Sequence, residues 1–125
     1  MLGGLTAMAG YRIGPGEVRD FARVPSYIGE MTGGLSDQAQ AIADALSAAG
    51  LETHASENVI RDIWKKLLGN IAMSAISGVT NLTSAECLEI AALKQTSLRA
   101  LDEALAVAAS HGIALDREET VRGWR

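Results

Sequence analysis

The feature that most constrains this chain is a change of hydrophobic period near residue 36. Residues 2 to 30 contain both prolines, Pro15 and Pro25, and a concentration of glycines, with apolar residues alternating at Leu5, Ala7, Ala9, Tyr11 and Ile13. Alternation between turn signals is the pattern of short strands. Gly14-Pro15-Gly16 reads as a turn between two of them, and Tyr27-Ile28-Gly29 as a third strand after Pro25. The expectation is a small antiparallel β meander, which is stable only when one face is covered.

From Ser36 onward the period is helical. Ser36 reads as an N-cap, followed by Ala39, Ile42, Ala43, Leu46 and Ala49, with Gly50 just past the end. Ser56 and Glu57 open a second helix through Val59, Ile63, Trp64, Leu67, Leu68 and Ile71 toward Ser77 and Gly78. Thr83-Ser84-Ala85-Glu86 fits a capping box. One or two helices then run through Leu88, Ala92, Leu98, Leu101, Leu105 and Ala108, with His111 suited to a helix C-terminus before Gly112. Asp116 to Arg125 are mostly charged and offer few apolar anchors for an ordered element.

Composition excludes several classes. The 125 residues suffice for one compact domain or a piece of a larger protein. Fifteen acidic against 11 basic side chains leave a net charge of −4, with no cluster of Lys or Arg, so a nucleic-acid partner is not expected. Cys87 is the single cysteine and there are two histidines, which gives no disulfide and no zinc ligand set, and a cytosolic chain is expected. The apolar stretch from Leu67 to Leu82 is interrupted by Asn70, Ser74, Ser77 and Asn81, so no membrane span is predicted.

The second helix holds the most suggestive polar pattern. Each residue advances the direction by about 100°, and with Ile60 at zero the apolar face formed by Ile63, Trp64, Leu67, Leu68, Ile71 and Ala75 centres at roughly 15°. Lys66, Asn70 and Ser74, spaced i, i+4, i+8, fall between about 240° and 320° at one flank of that face, while Lys65 points about 100° away. A lysine at an apolar edge with an amide one turn along suits proton donation to a carbonyl oxygen that is becoming an alkoxide. The same spacing also fits a boundary lysine whose stem lies on apolar surface with its ammonium in water.

Other features have structural readings. The glycine segments at Gly3-Gly4, Gly14-Pro15-Gly16 and Gly33-Gly34 do not match the G-x-G-x-x-G dinucleotide fingerprint and read as turns. Cys87 reads as a buried thiol, His54 as a solvated loop residue beside Glu52, and Glu103 as a solvated helix residue.

Ile63-Trp64-Lys65-Lys66-Leu67-Leu68-Gly69-Asn70 resembles the W-x-K-L-x-x-N signature of the ketopantoate reductase (2-dehydropantoate 2-reductase) family. Leu2-Gly3-Gly4-Leu5-Thr6, Gly14-Pro15-Gly16 and Ile28-Gly29-Glu30 resemble the segment that this family places between its nucleotide-binding and helical domains. Leu101 to Leu115, with Glu103 and Ala109-Ser110-His111-Gly112-Ile113, is similar to the helix that follows in the family.

The resemblance implies a mainly α fold, a helical domain like the C-terminal domain of 6-phosphogluconate dehydrogenase preceded by the short meander. Residues 1–35 would be the terminal strands of the nucleotide-binding domain and its linker, and 36–125 part of the helical substrate and dimerisation domain. It implies reduction of a 2-oxo acid to a 2-hydroxy acid with NADPH. Lys66 falls on the family's catalytic lysine and Asn70 on its motif asparagine. Ser74 and Ser84 fall where two further substrate-site asparagines stand, a hydroxyl replacing the amide at each. The chain begins after the glycine fingerprint and stops before the family's later helices, so the isolated chain is expected neither to hold NADPH tightly nor to turn over. The alternative is a non-catalytic helical oligomerisation or binding module. On either reading, exposed apolar helix faces imply self-association, so a homo-oligomer is possible.

Overall fold

A computed structural model describes residues 1–124, with nothing stated of the Phe21 side chain. Its elements run β1 (Leu2–Leu5), β2 (Ala9–Gly14), β3 (Glu17–Ala22), β4 (Ser26–Glu30), α1 (Asp37–Ala48), β5 (Thr53–Ala55), α2 (Val59–Thr80), α3 (Ser84–Glu89), α4 (Ala91–Ser110) and α5 (Arg117–Arg122). The chain divides into two compact units, Met1–Ile63 and Trp64–Arg125.

In the first unit the strands form where the alternation placed them, but not as one meander. β2 and β3 make a separate hairpin across Pro15-Gly16, with Tyr11 opposite Arg19 and Arg12 opposite Val18. Gly16 has φ +74, a left-handed turn conformation that favours glycine. Thr6 Oγ1 accepts from the Met8 N–H at 3.2 Å, a local turn that separates β1 from β2. β1 pairs antiparallel with β4, Gly3 opposite Gly29, and β4 pairs parallel with β5, Tyr27 opposite His54. His54 thus lies in a strand rather than a loop. Parallel neighbours need a crossover, and α1 supplies it.

Ser36 caps α1 as expected, its Oγ accepting from the Ala39 N–H at 3.1 Å. Ser47 ties the end of α1 to β5, donating to the Thr53 carbonyl at 3.1 Å and accepting its N–H at 3.0 Å. Ala39, Ala43 and Val59 are fully buried. Small residues there let α1 approach closely, and Gly29 packs against the Ser56 carbonyl and Val59 with no space for a Cβ.

α2 starts at Val59 rather than Ser56. Ser56 Oγ accepts from the Asn58 N–H at 3.1 Å, and Asn58 Oδ1 accepts from the Arg61 N–H at 3.0 Å, so two successive side chains satisfy the free donors of the first turn. The helix passes through Ser77 and Gly78 and ends at Thr80, where Asn81 adopts φ 57 and breaks the spiral. Thr83 and Glu86 form the full capping box of α3. The following helical stretch is two helices, because Ile90 is extended (φ −88, ψ 111) between α3 and α4.

The second unit is built on Leu68, Ala72, Met73, Cys87, Leu101 and Ala104, with Ile76, Leu88, Leu115, Val121 and Trp124 packed against them. Full burial of a leucine such as Leu68 or Leu101 contributes about 1.5–3 kcal/mol. Contrary to the expectation for the charged terminus, its described residues form α5. Asp116 accepts from the Glu119 N–H at 2.7 Å, and Arg117 donates to both Asp102 oxygens at 2.5 and 3.3 Å. Among the described residues no helix is long and apolar enough to cross a membrane.

Candidate functional site

Lys65 and Lys66 are consecutive on α2, yet their surroundings differ. Lys65 Nζ donates to Glu119 Oε1 of α5, so its charge is neutralised by a carboxylate. Lys66 is half-buried and makes no hydrogen bond or ion pair with any other described residue. Asn70 and Ser74, one and two turns along, are exposed. Side chains four apart on a helix have Cβ atoms about 5–6 Å from each other, so the three form one row. Ser84 stands apart from that row as the first residue of α3, exposed, its neighbour Thr83 serving as the cap.

The packed side of α2 is not the one the wheel marked. Leu68 and Ala72 are fully buried and Met73 nearly so, at about 80°, 120° and 220° on the same wheel. Leu67 and Ile71 are 38% and 39% exposed. The helix carries apolar residues over more than one face, and α3 and α4 take the side of Leu68, Ala72 and Met73. Lys66, at about 240°, therefore sits at the rim of the buried side, next to Met73. That explains its partial burial.

The side left open is a groove of about 260 Å³, where Trp64, Leu67 and Ile71 of α2 meet Ala100, Glu103 and Val107 of α4. Sequence reasoning took these α2 residues as core and Glu103 as a solvated residue, and did not find the groove. The signal was available in the width of the apolar arc of α2, which exceeds what one packed neighbour covers. Glu103 is the one charged residue among the described residues that line it. The Trp64 and His111 rings lie 6.3 Å apart at 34°.

Cys87 is buried as expected, near the hydroxyls of Thr80 at 3.7 Å and Ser77 at 3.9 Å. His54 is exposed and hydrogen-bonded to Glu52 at 3.1 Å. Among the described residues no cluster of His, Cys, Asp or Glu could hold a metal ion.

The N-terminus of α1 does not suit a nucleotide's pyrophosphate. The natural place for a pyrophosphate is the helix N-terminus after a strand, here that of α1. Ser36 occupies it, capping the helix while donating to Glu30 Oε1 at 2.9 Å, and Asp37 follows in the first turn. Two carboxylates at that position repel a phosphate.

Chemically, the row on α2 offers an ammonium without a carboxylate partner, an amide and a hydroxyl. That set can hold and protonate an oxygen of a small ligand. Comparison with known proteins finds a family that spans this helix. The family model described as Ketopantoate reductase PanE/ApbA C terminal matches residues 58–124. The 2-dehydropantoate 2-reductase of Archaeoglobus fulgidus is 28% identical over 122 residues, covering 98% of this chain and 42% of that protein. That of Pyrococcus abyssi is 28% identical over 115 residues, covering 92% and 38%. The chain thus spans about two fifths of the length of these curated relatives.

Among solved structures, 2-dehydropantoate 2-reductase from Methylococcus capsulatus superposes with a TM-score of 0.81 at 26% identity, covering 98% of this chain and 39% of that one. D-mandelate dehydrogenase, in complex with NADH, superposes with a TM-score of 0.86 at 26% identity, covering 98% and 41%. With its helical part matched by the family model from the start of α2 through α5, and with strands and helices superposing on these enzymes, the chain belongs to the ketopantoate reductase family.

Proposed function

We propose that this chain is part of an NADPH-dependent reductase that converts a 2-oxo acid, of the 2-dehydropantoate kind, to the 2-hydroxy acid. Reduction leaves the former carbonyl oxygen protonated, and Lys66 Nζ is the donor. Asn70 holds the same oxygen or the neighbouring carboxylate through its amide, and the Ser74 and Ser84 hydroxyls bind the rest of the substrate. The pyrophosphate of the reductant is not held at the N-terminus of α1, where Glu30 and Asp37 place two carboxylates. In this reading residues 1–35 are the last strands of the nucleotide-binding domain and its linker, 36–125 are part of the helical substrate domain, and the enzyme is a cytoplasmic homo-oligomer.

The observation that carries the proposal is the contrast between the two lysines. Within the family's segment, Lys65 is paired with Glu119, while Lys66 has no partner among the described residues and lies one turn from Asn70. An uncompensated ammonium at a half-buried rim is available to an anionic substrate. The test is Lys66→Ala in a reductase that carries this segment behind a nucleotide-binding domain. Loss of a general acid lowers kcat by about 100-fold or more, followed as NADPH oxidation with 2-oxo acids. An unchanged kcat removes Lys66 from the role.

A further inference from the structure

We propose that Ser56 is a positioning residue: its hydroxyl holds the Asp62 carboxylate back from Lys66 and so keeps that ammonium free for an anionic ligand. Its meaning for the reaction rests on the reading of Lys66 as the proton donor. Every residue concerned lies within this chain.

α2 runs unbroken from Val59 to Thr80, so Asp62 stands one turn before Lys66 on the same helix face. An acid four residues ahead of a lysine is the order that favours an ion pair on a helix. Lys66 nevertheless forms none with any described residue, although Lys65 beside it does. The acid is held elsewhere. Ser56 Oγ, in the segment that leads into α2, donates to Asp62 Oδ2 at 2.5 Å.

That hydroxyl is fixed in both place and direction. The Ser56 N–H donates to the Ile28 carbonyl of β4 at 2.8 Å, and the residue is only 8% exposed. Ser56 Oγ accepts from the Asn58 N–H at 3.1 Å, which leaves its single proton for Asp62. Side chains on a helix lean toward its N-terminus, here toward Ser56 and away from Lys66. A hydrogen bond to an ionised carboxylate is among the stronger ones, and Asp62 is half-buried, where water competes less for it. Without the hydroxyl the carboxylate needs another donor. Lys65 is engaged by Glu119, so the lysine of α2 left to it is Lys66.

The test is trace acetylation of the folded 125-residue chain with acetic anhydride, the extent at each lysine read by mass spectrometry against the exposed Lys94. The neutral amine is the form that reacts, so an ion pair slows it. Ser56→Ala should slow Lys66 by about twofold, the scale of one such helix pair, and leave Lys65 unchanged. Ser56→Thr, which keeps a hydroxyl, should react like the parent, and Ser56→Ala combined with Asp62→Asn should restore the Lys66 rate. An unchanged Lys66 rate in Ser56→Ala overturns the proposal. A slowing that Asp62→Asn does not restore also overturns it, since Ser56 would then only support the start of the helix. The reading of Lys66 fails separately: expected labelling with an unchanged kcat for Lys66→Ala in the intact reductase removes the donor role and leaves the placing of Asp62 intact.

Discussion

Glu119, on the short helix α5, accepts a hydrogen bond from Lys65 and so separates the duties of two adjacent lysines of α2. Lys65 is tied to α5, and on the proposed reading Lys66 is the one that meets the substrate. Lys65→Ala in the intact reductase should therefore leave kcat within a few-fold of the parent while loosening α5. Both partners of the pair are nearly half exposed, 46% and 43%, so water screens the attraction and its loss costs under about 1 kcal/mol, less still in high salt. Urea unfolding at two salt concentrations, beside steady-state kinetics, checks both halves. A kcat loss as large as that of Lys66→Ala would mean that the two lysines are not divided in this way.

Acid should weaken the second unit through two carboxylates. The Thr83 N–H and then the Thr83 hydroxyl, both donating to Glu86, hold its carboxyl below the usual glutamate range. Hydrogen bonds from Arg117 do the same for Asp102. A carboxyl whose folded pKa is depressed contributes stability that is complete above its unfolded pKa and disappears as pH falls through the folded one. Stability should thus be level from neutral pH to about 5 and fall below about pH 4. Thermal unfolding followed by circular dichroism across that range reads this, and Glu86→Gln should flatten part of the slope. Stability that rises between pH 5 and pH 3 would contradict the assignment.

What could be read along the chain was local. The Ser36 cap and the Thr83–Glu86 box are each written within four residues, and both formed as expected. Lys66, Asn70 and Ser74 share a row because helical spacing alone puts them there. What could not be read depends on residues far apart. β5 has three residues and exists because β4 lies beside it, brought there by α1. α5 looks too charged to order, yet two of its charges find Lys65 and Asp102, and Val121 reaches the core. The packed face of α2 was misjudged for the same reason: its apolar arc is wide, and only the positions of α3 and α4 decide which part is buried.

The start of α2 depends on Gly29, and this yields the sharpest steric prediction. A Cβ on Gly29 would lie 2.5 Å from the Ser56 carbonyl oxygen and 3.1 Å from Val59 Cβ. The first neighbour is backbone and cannot rotate away. That backbone is also fixed at both ends: the Ser56 N–H donates to the Ile28 carbonyl at 2.8 Å, and Ser56 Oγ donates to Asp62 Oδ2 at 2.5 Å. Relief requires moving β4 away from the segment that leads into α2, at the expense of the parallel pairing with β5. Gly29→Ala should cost about 1–3 kcal/mol, as overpacking of a tight contact does. Gly34→Ala is the control. Gly34 has open space around it but φ +85, so its cost is backbone strain alone, about 1 kcal/mol. Urea unfolding should rank Gly29→Ala as the more damaging change, with loss of amide protection across β4 and β5 by hydrogen exchange. An equal effect of the two substitutions would mean that the close approach of Gly29 to Ser56 is not what holds the entry to α2.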